Sequence, residues 1–570
     1  MTSPNFAADA PKVSSTPKEE VDRLVAQLAD RKDAWVRTTN ERRVQLLEAC
    51  IVRTEAVAEE WVRAACKAKG LAFDGPRAGE EWLGGPMTTI RNLRQLADAV
   101  RANGRPGLPE LTERDDGQWV AKVFPSDWFD KLLFTGFSAE VWVEPGQEPT
   151  QGAAYRAKTD EKSYPEGKVS LVLGAGNVAS IGPMDALYKL FVEDEVVILK
   201  TNPVNAYLQP YWEEAFRPLI DEGVYFVVRG GADIGSHLVH HEKVDTIHMT
   251  GSDRTHDAIV WGGDPEEQAR RKRTGERLVD KPISSELGAV TPVLVVPGPW
   301  SDDDLDFQAR QIAGMVANNG SFNCNAAKVI VTADRWPERE VLLERVEHHL
   351  RETPPRLAYY PGAQQRYDGF LERYPQAQPL GPRSPNVVPW TLIPDVPAET
   401  GEYALTNEAF CGVLALTKLK ASDPASFLSE MVRFANESCW GTLSCVVLIH
   451  PETEKQYAKE FDAAIAGLRY GGIGVNVFAG VIYGMVSPTW GAFPGHPLED
   501  IQSGRGVVHN SFMLDHPQKS VVRAPFRIRP TPVWFADHGN AHELGRALTR
   551  FEARPGPLRL PQVLMAAMKG

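Results

Sequence analysis

Cysteine is scarce. The 570-residue chain holds six, Cys50, Cys66, Cys324, Cys411, Cys439 and Cys445, and no two form a CxxC pair. So long and cysteine-poor a chain is no disulfide scaffold, and the simplest expectation is a reducing, cytoplasmic compartment. No metal-binding residue is assigned. Basic charge is in deficit: Lys+Arg 62 against Asp+Glu 75 gives −13. That balance argues against a broad nucleic-acid or anionic-membrane surface. The opening MTSPNFAADAPKVSSTPKEE lacks a basic start followed by an apolar run, so no secretory leader is expected. Long uncharged stretches are also rare. Tyr470–Pro497 carries no charge apart from His496, but its seven glycines and three prolines predict a buried strand followed by an active-site loop, not a membrane span. No internal repeat is visible.

What is present is ordinary globular material, 43% hydrophobic and 24% charged, enough for large cores in about two to four domains. Residues 1–17 read as a disordered lead. Residues 18–103 are helical by apolar spacing, over Glu20–Asp30 and Arg42–Lys69. Residues 119–165 read as short strands and turns, at Trp119–Phe124, Val141–Val143 and Ala153–Lys158. Then strands and helices alternate: KVSLVLGAGN, PMDALYKLFV, EVVILKTNP, YLQPYWEEAFRPLIDEG, VYFVVRGG, ADIGSHLVHH, VDTIHMTGS. This pattern predicts a parallel α/β sheet with ligands at the carboxyl ends of its strands. Those ends carry Gly174–Asn177, Lys200–Pro203, Gly230–Gly231 and Thr250–Ser252, turn-forming or small polar residues suited to a nucleotide crevice. The charged Gly262–Arg277 reads as a solvated loop. A second α/β unit is expected from Lys281 onward, with a helix over Asp303–Ala317 and a strand AKVIVTA. The Pro- and Gly-rich stretch 374–402 reads as a surface loop. SVVRAPFRI is strand-like, and the tail 531–570 carries no recognised motif.

Several of these pieces, in order, resemble the aldehyde dehydrogenase superfamily over roughly residues 40–525. They are Asn177 after the first strand, VVILK ending at Lys200, HEKVDTIHMTGS (241–252), ELG (286–288), NNG (318–320) before a cysteine, NEAFCGVLAL (407–416) and GIGVNV (472–477). The resemblance implies a Rossmann-type cofactor domain (1–134 and 166–282), an α/β catalytic domain (283–505), and a β-strand oligomerisation arm (135–165 and 506–530). The arm would pair between subunits in a homodimer or homotetramer, with 531–570 as a C-terminal extension. It also implies oxidation of an aldehyde to a carboxylate with NAD or NADP.

That chemistry needs a nucleophile, oxyanion donors and a base for water. The resemblance gives these roles to Cys324, to Asn177 with the Cys324 backbone N–H, and to Glu286. Lys200 would meet the adenosine ribose, Gly251 and Ser252 the pyrophosphate at a helix start, and Glu408 and Phe410 the nicotinamide ribose and ring. The chain departs from the family at several points. The family's Asn-x-Gly-Gln-x-Cys, laid on NNGSFNC without gaps, puts Asn323 at the nucleophile position and Cys324 one residue late. Either the loop holds an extra residue, or the thiol points elsewhere and the protein is a catalytically inactive binding or scaffold subunit. His256 replaces a family glycine. Pro203 stands where many NAD-using members carry an acid, which permits NADP; Arg270, Arg271, Lys272 and Arg273 are near enough in sequence to be considered for its phosphate. A CoA-acylating dehydrogenase or acyl reductase is the competing enzyme, suggested by the GAGN turn and opposed by Glu286. Phe478, Trp490 and Phe493 are candidate lining of a substrate tunnel.

Overall fold

Alternating apolar strands and amphipathic helices build two sheets, each with its own core, in the computed structural model, which describes residues 13–158 and 164–570. The lead over residues 1–12 and part of the 135–165 segment fall outside the described residues. Two long helices, Lys18–Val36 and Asn40–Ala68, open the chain; the second is capped by the Thr39 side chain. Next come β1 (Glu110–Glu113), β2 (Trp119–Phe124) and β3 (Ser138–Val143), an antiparallel meander.

The first α/β unit contains β4 (Val169–Leu173), β5 (Val196–Lys200), β6 (Tyr225–Val228), β7 (Thr246–Gly251) and β8 (Ile283–Leu287). The second contains β9 (Thr291–Val295), β10 (Ala327–Ala333), β11 (Gln378–Pro379), β12 (Thr391–Ile393), β13 (Val413–Leu419), β14 (Ser444–Leu448) and β15 (Gly472–Val475). Short β16 (Trp490–Gly491), β17 (Gly504–Arg505) and β18 (Val507–Val508) precede β19 (Pro517–Arg523). One sheet runs β17-β8-β7-β4-β5-β6, and the other runs β1-β2-β3-β19-β15-β14-β9-β10-β13-β12-β11. The nearly continuous burial of β5, β9, β10 and β14 is what a parallel sheet covered on both faces requires.

The structure changes several expectations. Ala153–Lys158 contains not a strand but a short helix, Ala153–Arg156, started by left-handed Gly152 and anchored by Tyr155, whose hydroxyl donates to Phe191 O. The single helix expected over 207–223 is broken into Pro203–Leu208, Gln209–Ala215 and Arg217–Asp221, because Pro210 and Pro218 each lack the N–H that would continue a helix. Gly262–Arg277 contains an exposed helix, Pro265–Thr274, capped by Asp264 and stopped by left-handed Gly275. Its Arg270 is paired with Glu267 and Glu276, and Lys272 with Asp257. The 374–402 stretch is not all surface loop, since its Thr391–Ile393 is buried in the second sheet as β12. Glu286 lies on β8, which completes the first sheet by pairing with β7, so passage to the second sheet falls at residues 288–290 and not at 283. The strands expected to pair between subunits pair within the chain: β19 runs parallel to β15 and antiparallel to β3, so both of its edges are used internally. Tyr470–Pro497 folds as buried β15, the helix Gly480–Met485 and β16. Among the described residues no helix is long and apolar enough to cross a membrane.

Candidate active site

Two turns and one strand end converge on a single cavity of about 210 Å³, whose walls include Asn177, Glu286, Asn323 and Cys324. The first turn follows β4. The second follows the helix Asp302–Ala317, where Asn319, Gly320 and Ser321 all adopt left-handed backbone, with φ of 52°, 67° and 68°. Such a run is costly for residues with a Cβ, and its hydrogen bonds offset the cost. The Lys328 ammonium donates to Ser321 O and Oγ, both at 3.0 Å. Asn319 Nδ2 donates to Asn323 Oδ1, and Asn323 Nδ2 donates to Asn318 Oδ1, each at 2.9 Å. The Asn323 amide is thus consumed inside the loop. Cys324, the next residue, interacts with the Glu286 carboxyl.

Glu286 is placed by register, Thr250 of β7 and Gly504 of β17 lying opposite it. It is 3% exposed. Burial and then the nearby Asp185 charge push its carboxyl up to about 8, while the Cys324 thiol and the Trp490 side chain pull the other way. One of its oxygens, Oε1, has no hydrogen-bond partner among the described residues. The Cys324 thiol is pushed well above the usual range by burial first, then by the charges of Glu286 and Glu408. Both groups therefore hold their protons near neutrality, and ionising the carboxyl places a base beside the thiol, an arrangement suited to base-activated nucleophilic attack.

Asn177 donates from Nδ2 to Phe322 O at 2.9 Å, leaving its second amide hydrogen for another acceptor. Its backbone carbonyl accepts from Lys69 Nζ (3.0 Å), Asn319 Nδ2 (3.0 Å) and the Tyr359 hydroxyl (3.1 Å). Lys69, itself 4% exposed, completes its donors with Glu81 at 2.8 Å and Asn319 Oδ1 at 3.0 Å. This lysine ties the β4 turn to the cysteine loop. Of the expected tunnel residues, Phe478 and Trp490 line the cavity and Phe493 is not among its lining; Lys69, Asp185, Tyr359 and Tyr483 carry no signal in the sequence, and only burial and partners distant along the chain reveal them.

The cofactor candidates Lys200, Gly251, Ser252, Glu408 and Phe410 are not among the residues that line this cavity. Lys200 ends β5, and its carbonyl accepts from Gly174 N at 3.1 Å; burial lowers its ammonium to about 8, opposed by the charge of Asp233. Glu408 is 3% exposed, and its Oε1 is buried with no hydrogen-bond partner among the described residues. Burial raises its carboxyl to about 8 against the pull of Lys328. A buried ammonium and an orphaned carboxyl oxygen suit a ligand rich in hydroxyls, so the ribose contacts of a dinucleotide fit. Phe410, at φ 42°, packs its ring against Tyr360 and Phe322. The pyrophosphate position fits less well: Ser252 caps the helix Asp253–Val260, next to Gly251, but Asp253 already puts a carboxylate in its first turn.

The fold has recognisable relatives. Residues 184–355 match the model described as the aldehyde dehydrogenase family. N-succinylglutamate 5-semialdehyde dehydrogenase of Sphingopyxis alaskensis is 24% identical over 265 residues, 45% of this chain and 50% of that protein. The chain thus spans about half the length of the curated relatives it matches. The crystal structure of the aldehyde dehydrogenase KauB from Pseudomonas aeruginosa aligns with a TM-score of 0.60 and 17% identity, covering 92% of this chain and 93% of that one. The NADP-dependent glyceraldehyde-3-phosphate dehydrogenase from Bacillus halodurans, solved with NADP, aligns at 0.57 and 18% identity over 90% and 94%. Residues 184–355 thus resemble the aldehyde dehydrogenase family, and the chain as a whole has the fold of solved aldehyde dehydrogenases.

Proposed function

We propose that this protein oxidises an aldehyde to a carboxylate with NAD(P)+, with Cys324 as nucleophile and Glu286 as base. The observation that carries this reading is the Cys324 thiol beside the Glu286 carboxyl on a cavity that also exposes Asn177. Glu286, once ionised, takes the thiol proton. The thiolate adds to the carbonyl carbon, and the oxygen that becomes negative is met by the second Asn177 amide hydrogen and the Cys324 backbone N–H. Bound NAD(P)+ supplies a hydride acceptor for the resulting thiohemiacetal. Glu286 releases the thiol proton to solvent and then takes a proton from water, which attacks the thioester; the C–S bond breaks, the sulfur regains that proton from Glu286, and the acid leaves as its carboxylate. A carboxyl this close to the sulfur favours hydrolysis over passing the acyl group to coenzyme A.

Lys200 would hold the adenosine ribose, and Glu408 with Phe410 the nicotinamide ribose and ring. Pro203 leaves the 2′ position without a repelling acid, and the Bacillus halodurans relative was solved with NADP, so either dinucleotide is accommodated. Arg270 and Lys272 are already paired with carboxylates and are not assigned to a phosphate.

The test is aldehyde-dependent reduction of NAD(P)+ by the purified protein, its Cys324→Ala form and its Glu286→Gln form. The expected result is turnover by the first alone, with an acyl group retained on sulfur in the third. Absence of both turnover and adduct across short, long and aromatic aldehydes overturns the reading.

A further inference from the structure

The segment after β19 enters the site. Residues 531–538 and the helix Ala541–Ala553 supply Val533, Trp534, Leu548 and Glu552 to the wall of the cavity that holds Cys324. We propose that this C-terminal extension is the specificity wall of the cavity, and that the cavity takes an uncharged aromatic or medium-chain aliphatic aldehyde. That the ligand is an aldehyde rests on the oxidation reading; the shape and charge of the cavity do not.

The extension is a built part of the fold. A Cβ on Gly314, in the helix that leads into the cysteine loop, would lie 2.5 Å from the Trp534 carbonyl oxygen; only glycine allows so close an approach. Leu544, Phe551, Leu560 and Val563 form a small core, with Phe129 and Leu133 packed against it. Glu552 is locked between Arg91 at 2.7 Å and Arg94 at 2.5 Å, and Arg91 continues to Asp130 at 3.0 Å. Arg91 also donates to Met485 O at 2.8 Å, tying the latch to the helix beside Phe478 and Tyr483.

Size and charge define the ligand. A dry cavity of roughly 150 Å³ holds benzene, so 210 Å³ has room for a ring and a short arm reaching Cys324. The facing side chains include Met87, Phe134, Ile181, Phe478 and Trp490. The two cations on the wall are both committed: Lys69 to Glu81, and Arg91 to Glu552 and Asp130. Glu80 on the same wall is paired with Arg356, so the wall keeps no uncommitted cation for a substrate carboxylate, and burying an unpaired charge there is disfavoured.

The experiment compares phenylacetaldehyde, acetaldehyde and succinic semialdehyde. The wild type is expected to give a higher kcat/KM for phenylacetaldehyde than for either of the others. Trp534→Ala should lower the phenylacetaldehyde-to-acetaldehyde ratio by about tenfold or more, in the range of hydrophobic-pocket discrimination. Leu548→Phe, which fills space instead of opening it, should lower the same ratio, so a folding defect in one variant does not carry the result. Binding gives a readout independent of turnover: calorimetric titration of 2-phenylethanol into Cys324→Ala, with and without Trp534→Ala, should show affinity about tenfold weaker in the double variant. If no aldehyde turns over but this loss of affinity is seen, the oxidation reading fails and the wall stands. An unchanged ratio in both variants, unchanged alcohol affinity, or a preference for succinic semialdehyde overturns the proposal.

Discussion

Two walls of one cavity are built by opposite means. The wall around Cys324 is polar and over-determined. Left-handed residues, three asparagines and two buried lysines fix a short loop, and nearly every amide in it has a partner. The wall from residues 531–553 is mainly apolar, with Val533, Trp534 and Leu548 facing the cavity, and its one carboxylate, Glu552, is held in the Glu552–Arg91–Asp130 latch. A reactive centre needs fixed atoms, whereas a selective surface needs shape. The first tolerates almost no substitution; the second can change its side chains without disturbing the chemistry.

Breaking the polar wall should have the largest effect. Cys324→Ala is expected to lower kcat by roughly a thousandfold or more, as removal of a nucleophile does, and steady-state reduction of NAD(P)+ checks it. Asn323→Ala separates the two neighbours: it retains the thiol and should leave the protein alkylable at Cys324, read by mass mapping. Glu286→Gln should cost on the order of 10²–10⁴-fold, with acyl-enzyme accumulating, because water loses its base.

The apolar wall breaks by release of its latch. Glu552→Ala leaves Arg91 buried without one of its partners, and removing one member of such a pair costs about 3–5 kcal/mol; denaturant titration checks this. Burial alone would raise Glu552, but Arg91 and Arg94 outweigh it and hold the carboxyl down to about 2. The latch thus contributes fully above the usual carboxylate range, about 4.5, and its contribution is lost as pH falls from there through about 2. Fluorescence of Trp534 should report undocking in that acid window, and a Trp534→Phe control should remove the signal.

The smallest effect sharpens the polar wall. The Glu286 carboxyl lies near 8 because of burial first and Asp185 second, so kcat/KM should rise with pH to a plateau above about 8, where the base is ionised. Asp185→Asn removes the second cause, and the rising limb should move to lower pH without loss of the plateau.

Part of the polar wall was legible in the sequence, because a strand end and motif order mark Asn177 and Glu286, and both line the cavity. The one-residue displacement of Cys324 was visible there; the structure places both Asn323 and Cys324 on the cavity wall, on a loop whose left-handed backbone at Asn319 and Ser321 neither residue type announces. Lys69 read as an ordinary helix-end lysine, since its partners Glu81, Asn177 and Asn319 are set by tertiary packing. Proline breaks in 207–223 were written in the sequence, while the burial of Thr391–Ile393 was masked by its turn-rich surroundings. The extension was the least legible part. Its role comes from where Trp534 and Leu548 arrive, and apolar residues at helical spacing predict only that some surface will cover them.

The most direct measurement is peptide-mapped mass spectrometry of the Glu286→Gln protein after reaction with an aldehyde and NAD(P)+. The account predicts an acyl mass increment on the peptide containing Cys324. An increment confined to another cysteine, such as Cys411, or none in a protein whose Glu286 form turns over, would contradict it.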